Sequence, residues 1–346
     1  MIEPPESVLV LRFSAVGDVI LTAPAIGALH AAWPKTRIIY AVKAPLRHLV
    51  AHNPNIDQVV SLEPGESLLS FSRRLRALRY GALLDLHGKI RSRLLRLLLP
   101  RTPRVVWHKR ELSETVAVKL GFRTYRAPMH FADRFHLAVE RLVGRPLDRG
   151  ELRYFLGPED QKIADNRLRE AGVDSTRPIM GLSPGANWET KRWPAARFGE
   201  LAKRAIDAGY QVVVTGGAGE MRLGAEISTV APKAFDLCGK LDLRGLGGLI
   251  SRCSAFVAND SGPMHMARAL GVPTLAFFGS TDPGMFDLRG HAVMFAGVPC
   301  SPCSFFGRSR CPRGHFRCML DMNVDSAWRS LAPLLAPPFI RRLSAG

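Results

Sequence analysis

The chain contains no G-x-G-x-x-G, no G-x-x-x-x-G-K-[ST] and no D-x-D. The first absence argues against a dinucleotide-dependent dehydrogenase and the second against P-loop ATPase chemistry. The third leaves no indication of a metal-bridged diphosphate of that kind. No apolar run reaches the roughly 18–20 residues of a membrane-spanning helix. The opening Met1-Ile2-Glu3-Pro4-Pro5-Glu6 is acidic and broken by proline, so no signal peptide is expected and the expected compartment is the cytoplasm. Acids are scarce overall, 30 against 48 Lys and Arg for a net charge of +18. The shortage is concentrated: fifteen basic residues and three acids, Asp85, Glu111 and Glu114, lie between Arg73 and Arg126. A solvated basic surface is the plain reading; a face for anionic partners is the sharper one. Without a helix-turn-helix, zinc-finger or RNP signature no nucleic acid is expected, which leaves anionic lipid or glycan.

Against these absences stands an alternating pattern. A chain of 346 residues exceeds one ordinary core, so two domains are expected. Short β-branched runs near 7–13, 37–42, 57–61, 81–86 and 104–107 alternate with helical patterns, among them 19–32, 67–79, 89–98 and 132–143. The alternation resumes with strands near 178–183, 210–215, 254–258, 273–278 and 292–295. Pro146, Gly150 and Gly157 mark a junction between the halves. Two doubly wound α/β domains facing across a cleft are predicted.

Six cysteines are present. Cys238 and Cys253 fall in apolar context, as reduced core residues would. Cys300, Cys303, Cys311 and Cys318 form a C-x2-C-x7-C-x6-C run with His315 inside it. A disulfide framework does not suit a reducing cytosol. Four thiolates in so short a loop are candidate metal ligands, but the second spacing is wide for a zinc knuckle. No metal site is therefore assigned.

Polar turns at strand ends carry the chemistry. Ser14-Ala15-Val16-Gly17-Asp18 follows the first strand, where open α/β sheets bind ligands. Asp18 there is either a functional carboxylate or a helix cap, and these residues alone leave the two level. Ser183-Pro184-Gly185-Ala186-Asn187 leads into Lys191-Arg192-Trp193-Pro194. Lys191 suits a phosphate as a point charge; base rates favour a solvated Lys-Arg pair, but the loop's place at a strand end and its tryptophans, Trp188 and Trp193, point to a ligand-facing segment. Thr215-Gly216-Gly217-Ala218-Gly219-Glu220 ends a strand, with Glu220 able to accept from ribose hydroxyls. Asn259-Asp260-Ser261-Gly262-Pro263-Met264-His265 turns a strand into a helix, aiming backbone N–H groups at one point that suits a diphosphate. His265 is equally a packing histidine, and Asp282 in the Gly279–Pro283 turn reads as a turn residue.

These segments in this order resemble the lipopolysaccharide heptosyltransferases, glycosyltransferase family 9. The resemblance rests on Arg12 through Pro24, Asp85-Leu86-His87-Gly88-Lys89, Ser183-Pro184-Gly185 through Lys191-Arg192-Trp193-Pro194, Gly216-Gly217 with Glu220, and Asn259 through His265. It implies a GT-B fold with an acceptor-binding domain over 1–155, a donor-binding domain over 156–325, and a segment 326–346 crossing back to the first. It implies an inverting, metal-independent enzyme with ADP-heptose as the donor substrate and no required cofactor. The acceptor implied is the Kdo or heptose of the lipid A core, met at the inner face of the cytoplasmic membrane. In that scheme Asp18 is the general base, and Lys191 stabilises the leaving diphosphate. Ser183, Gly185, Asn187, Lys191, Gly216, Gly217, Glu220, Asp260, Ser261, Gly262 and His265 meet the donor. Ser14, Gly17, Asp18, His87 and Lys89 meet the acceptor. His87 stands where members of the family carry an amide, and Ala186-Asn187 where some carry hydroxyls. Another nucleotide sugar, a protein acceptor, an epimerase on the same fold, or a non-catalytic glycan- or membrane-binding protein are the rival readings.

Overall fold

The computed structural model describes residues 3–107 and 129–335, and the chain divides into two compact units between Phe155 and Leu156. The basic residues from Lys109 to Arg126 and the tail 336–346 lie outside the described residues.

In the first unit, strands β1 (Ser7–Leu11), β2 (Arg37–Lys43), β3 (Gln58–Leu62), β4 (Ala82–Asp85) and β5 (Arg104–Val106) form a parallel sheet in the order β3-β2-β1-β4-β5. β1 reads Ser-Val-Leu-Val-Leu and is buried throughout, as a strand with both faces covered must be. Register is set by pairs such as Leu9↔Ile39 and Leu9↔Leu83. Leu9, Leu11, Ile39, Phe71, Leu75, Leu83 and Leu95 form the core of one face. The strand order reverses between β1 and β4. In an open α/β sheet the crevice beyond the strand ends at that reversal is where ligands bind.

The continuous helix expected over 19–32 is two helices, α1 (Val16–Ile20) and α2 (Ala23–Ala32). Pro24 stands in the first turn of α2, having no N–H to continue the preceding helix. Beyond the short α3 (His48–Ala51), α4 (Leu68–Arg76), α5 (Ile90–Leu98) and α6 (Phe131–Val143) complete this unit's long helices among the described residues.

The second unit repeats the plan. Strands β6 (Ile179–Ser183), β7 (Gln211–Val214), β8 (Phe235–Asp236), β9 (Ala255–Asn259), β10 (Thr274–Phe278) and β11 (Ala292–Phe295) are ordered β11-β10-β9-β6-β7-β8, all parallel. The reversal here lies between β6 and β9. The sequence reading missed β8, a two-residue edge strand too short to carry an alternation. Trp193 lies stacked on Phe277 at 4.1 Å and is 1% exposed. This tryptophan of the 183–194 segment is core, not part of a ligand-facing surface. The helix Val324–Leu331 packs Val324, Ala327 and Leu331 into this same core.

Candidate active site

Each sheet places a cluster of polar and charged side chains at its reversal point. In the first unit, β1 continues into Arg12, whose N–H donates to Ala41 O at 3.0 Å. Arg12 is almost fully buried, and its guanidinium has three kinds of partner. Nη1 donates to Leu86 O at 2.5 Å, Nη2 forms an ion pair with Asp18, and the cation faces the rings of Phe135 at 5.1 Å and Trp107 at 5.8 Å. Arginine suits this position because its planar fork serves an oxygen and an aromatic face together.

Asp18 occupies the first turn of α1 and accepts the Ala15 N–H at 3.3 Å. It therefore does cap the helix, as the plainer reading had it. Its carboxylate remains 33% exposed while its charge is paired with the buried Arg12. Gly17 is buried within the same turn and Ser14 half-buried before it.

The turn after β4 approaches the same guanidinium. Asp85, fully buried, accepts the N–H groups of His87 at 2.9 Å and Gly88 at 3.0 Å, and Arg96 lies 3.3 Å from its other oxygen. Gly88 has φ +62°, and a Cβ there would meet Trp107 O at 2.7 Å, so only glycine fits. His87 is 3% exposed and packs edge-on against Phe13. Burial, reinforced by the positive charges of Arg12 and Lys89, lowers its pKa to about 3. The ring is thus neutral, and its buried Nδ1 lacks a hydrogen-bond partner among the described residues. Lys89 is exposed at the N-cap of α5.

In the second unit the loop after β6 and the turns after β9 and β10 converge. Lys191 Nζ lies 2.6 Å from Asp260 Oδ2, and Thr281 Oγ1 donates to the same oxygen at 2.7 Å. Burial alone would raise the Asp260 carboxyl, but Lys191, His265 and the Thr281 hydroxyl outweigh it and hold the group below the ordinary carboxylate range. Lys191 is therefore not the solvated lysine that base rates favour. Asn259 ties the loop to the strand end: its Oδ1 accepts Trp193 N–H at 3.0 Å and its Nδ2 donates to Pro184 O at 2.7 Å. Thr190 bonds both Ser280 and the backbone of Arg308. Asn259, Thr190 and Thr281 were not singled out from sequence, where only an acid–lysine pair across distant turns would have pointed to them.

Ser261 stands at the N-cap position of the helix Gly262–Ala269 in an extended conformation, without a side-chain cap hydrogen bond. Its Oγ is buried without a hydrogen-bond partner among the described residues. His265 is 5% exposed, 3.3 Å from Arg268 through Nδ1 and edge-on to Phe286, so it does pack its helix. Glu220 accepts the Gly217 N–H at 2.8 Å. Its carboxylate lies against Gly185 and Gly216, and a Cβ on Gly185 would overlap Glu220 Oε1. Ser183 is buried, whereas Asn187 is exposed. Asp282 accepts Gly284 N–H at 2.9 Å, as a turn residue does.

The cysteine run follows β11 and borders these turns: the Cys303 N–H donates to Ser280 O at 3.1 Å. Cys300 Sγ is 3.5 Å from His315 Nε2, burial raises the Cys303 thiol, and burial pushes Cys318 up to about 12. Among the described residues no group of three or more His, Cys, Asp or Glu is arranged to hold a metal ion. No helix among them is long and apolar enough to cross a membrane.

Comparison with known proteins follows the same outline. The profile of Glycosyltransferase family 9 (heptosyltransferase) matches residues 68–308. Lipopolysaccharide heptosyltransferase 2 of Salmonella typhimurium is 30% identical, the alignment covering 82% of this chain and 86% of that protein. Lipopolysaccharide heptosyltransferase 1 of Pseudomonas aeruginosa is 28% identical over 86% of this chain and 85% of its own. Among solved structures, a family 9 glycosyl transferase from Veillonella parvula superposes with a TM-score of 0.79 at 22% identity, covering 95% of this chain and 97% of that one. The ADP-heptose LPS heptosyltransferase II of E. coli gives 0.72 at 24%, covering 95% and 98%. The fold is GT-B.

Proposed function

The chain belongs to glycosyltransferase family 9 and is a glycosyltransferase, and from that premise we propose that it transfers a heptose from ADP-heptose to the inner core of lipopolysaccharide with inversion at the anomeric carbon. The observation that carries the mechanism is Asp18, a partly exposed carboxylate held from beneath by a buried arginine at the reversal point of its sheet.

The acceptor hydroxyl, bound by Ser14, Gly17, His87 and Lys89, gives its proton to Asp18 as its oxygen attacks the anomeric carbon. The bond from that carbon to the ADP oxygen breaks, and its electron pair leaves with the diphosphate. A carboxylate base of this kind supplies about 10²–10⁴-fold. Lys191 and the N–H groups of Gly262 and Met264 in the first turn of the Gly262–Ala269 helix meet charge on the leaving diphosphate, a task this reading gives to the protein rather than to a metal ion. Asp260 acts through Lys191, aiming the ammonium. Ser183, Gly185, Asn187, Gly216, Gly217, Glu220 and Gly262 line the rest of the nucleotide-sugar site, with Glu220 on the ribose. A lipid-linked acceptor places the enzyme at the cytoplasmic face of the inner membrane, where the basic residues after Arg73 meet core carboxylates and phosphates.

The test is ADP release from ADP-heptose with and without a Kdo-lipid A or heptosylated acceptor, for wild type and Asp18→Asn. Acceptor-dependent release that falls about 10²–10⁴-fold in the variant, with donor affinity retained, is the expected result. Release from another nucleotide sugar but not from ADP-heptose would overturn the donor assignment, and full activity in Asp18→Asn would overturn the base.

A further inference from the structure

Helix α5 turns an aliphatic face outward. Its Ser92 and Leu95 are buried, while Ile90, Leu94 and Leu97 are 73%, 48% and 81% exposed. At spacing i, i+4, i+7 the three form one stripe, on the side where a surface helix ordinarily carries polar residues. At about 100° per residue, Arg93 borders the stripe on one side and Arg91 on the other. Helix α4 packs beside α5 and adds exposed Leu69, Arg73 and Arg76. Residues 67–107 hold ten Lys and Arg and one acid, Asp85, which is fully buried. Arg74 is bound to Glu66 and Arg96 to Asp85, whereas no ion pair holds Lys89, Arg91 or Arg93 among the described residues.

An apolar stripe bordered only by cations is poorly matched to a second copy of itself. Two-fold pairing would set arginine against arginine. It matches a surface that is apolar within and anionic at its edge.

We infer that the α4–α5 face docks on an anionic lipid bilayer, with Ile90, Leu94 and Leu97 entering the acyl boundary and Arg73, Arg76, Arg91 and Arg93 meeting headgroup phosphates. The position of α5 gives the docking a purpose. The helix opens directly after the Leu86–Lys89 turn, and Leu86 O is bound by the guanidinium that pairs with Asp18. A lipid-linked sugar rising from the bilayer at α5 is therefore delivered beside that carboxylate. This last step rests on the transferase reading; the docking itself does not.

Flotation of the full chain is measured with vesicles of phosphatidylethanolamine and phosphatidylglycerol, and with vesicles of phosphatidylcholine alone, in the absence of donor and acceptor. Wild type is expected to float with the anionic vesicles. Binding should fall at least about tenfold on the neutral vesicles, in Leu94→Gln/Leu97→Gln, and in Arg91→Gln/Arg93→Gln. All these side chains are exposed, and unchanged transfer by Leu94→Gln/Leu97→Gln to a delipidated, water-soluble acceptor shows that the fold survives. Equal flotation of that variant and wild type would overturn the proposal. So would a wild-type dimer that Leu94→Gln/Leu97→Gln splits while neither floats. If no transfer from ADP-heptose is found, the flotation result still decides the docking.

Discussion

The Lys191 ammonium lies 2.6 Å from Asp260 Oδ2, joining turns that follow different strands, β6 and β9, and that stand 69 residues apart in the chain. The pair is formed at the point where the strand order of its sheet reverses, and both members are largely withdrawn from water. On the proposed transferase reading, a cation held in this way keeps one orientation when a diphosphate arrives, which is the preorganisation that leaving-group stabilisation needs.

Lys191→Met should be the more damaging half of that pair. It leaves the Asp260 charge buried with, among the described residues, Thr281 and His265 to answer it, and breaking a buried pair in this way costs about 3–5 kcal/mol. The double variant Lys191→Met/Asp260→Asn should recover much of the loss in urea unfolding, while donor affinity stays impaired. Additive losses in the double-mutant cycle would contradict the coupling.

Removing Arg12 should destabilise the first unit. Arg12→Met removes one ion-pair partner of Asp18 and the hydrogen bond to Leu86 O while leaving an aliphatic stem under Phe135. Because Asp18 keeps a third of its exposure, the loss should fall near about 3 kcal/mol, the low end for a broken buried pair. Chemical denaturation measures it.

His87 should give stability a pH dependence. Its folded pKa of about 3 lies below the unfolded value of 6.5, so the unfolded chain binds the extra proton between them. Stability is full above 6.5 and is lost as pH falls toward 3, by at most about 1.4 kcal/mol per pH unit. Urea unfolding of wild type and His87→Gln at stepped pH should show this slope in wild type and a shallower one in the variant.

Gly185→Ala should weaken donor binding at least about tenfold without unfolding the chain, because the added methyl must expel the Glu220 carboxylate from its position. Calorimetric titration with ADP-heptose reads the effect. Gly219→Ala, whose Cβ would meet nothing, is the control.

Most strands were legible because a buried parallel sheet demands continuous apolar, β-branched runs, and runs such as Ser7–Leu11 and Ala255–Asn259 have no other use. The break at Leu21-Thr22 was less legible, since the apolar pattern runs through it and only Pro24 interrupts. β8 was not legible, because it is a strand by pairing with β7 rather than by composition. Among the site residues, the turns after the strands were visible as polar clusters, but Trp193 was indistinguishable from a ligand-facing ring until its stacking on Phe277 was seen.

The sequence by itself determined the alternation of strand and helix, the polar turns at strand ends and the family resemblance, because each is written in consecutive residues. Only the tertiary structure decided which turns meet. Strand order placed Arg12 under Asp18 and beside Leu86, and Lys191 on Asp260. It also decided that Ile90, Leu94 and Leu97 face outward rather than inward. Those outcomes depend on what packs against each side chain across the fold, and neighbours distant along the chain leave no mark on the local pattern.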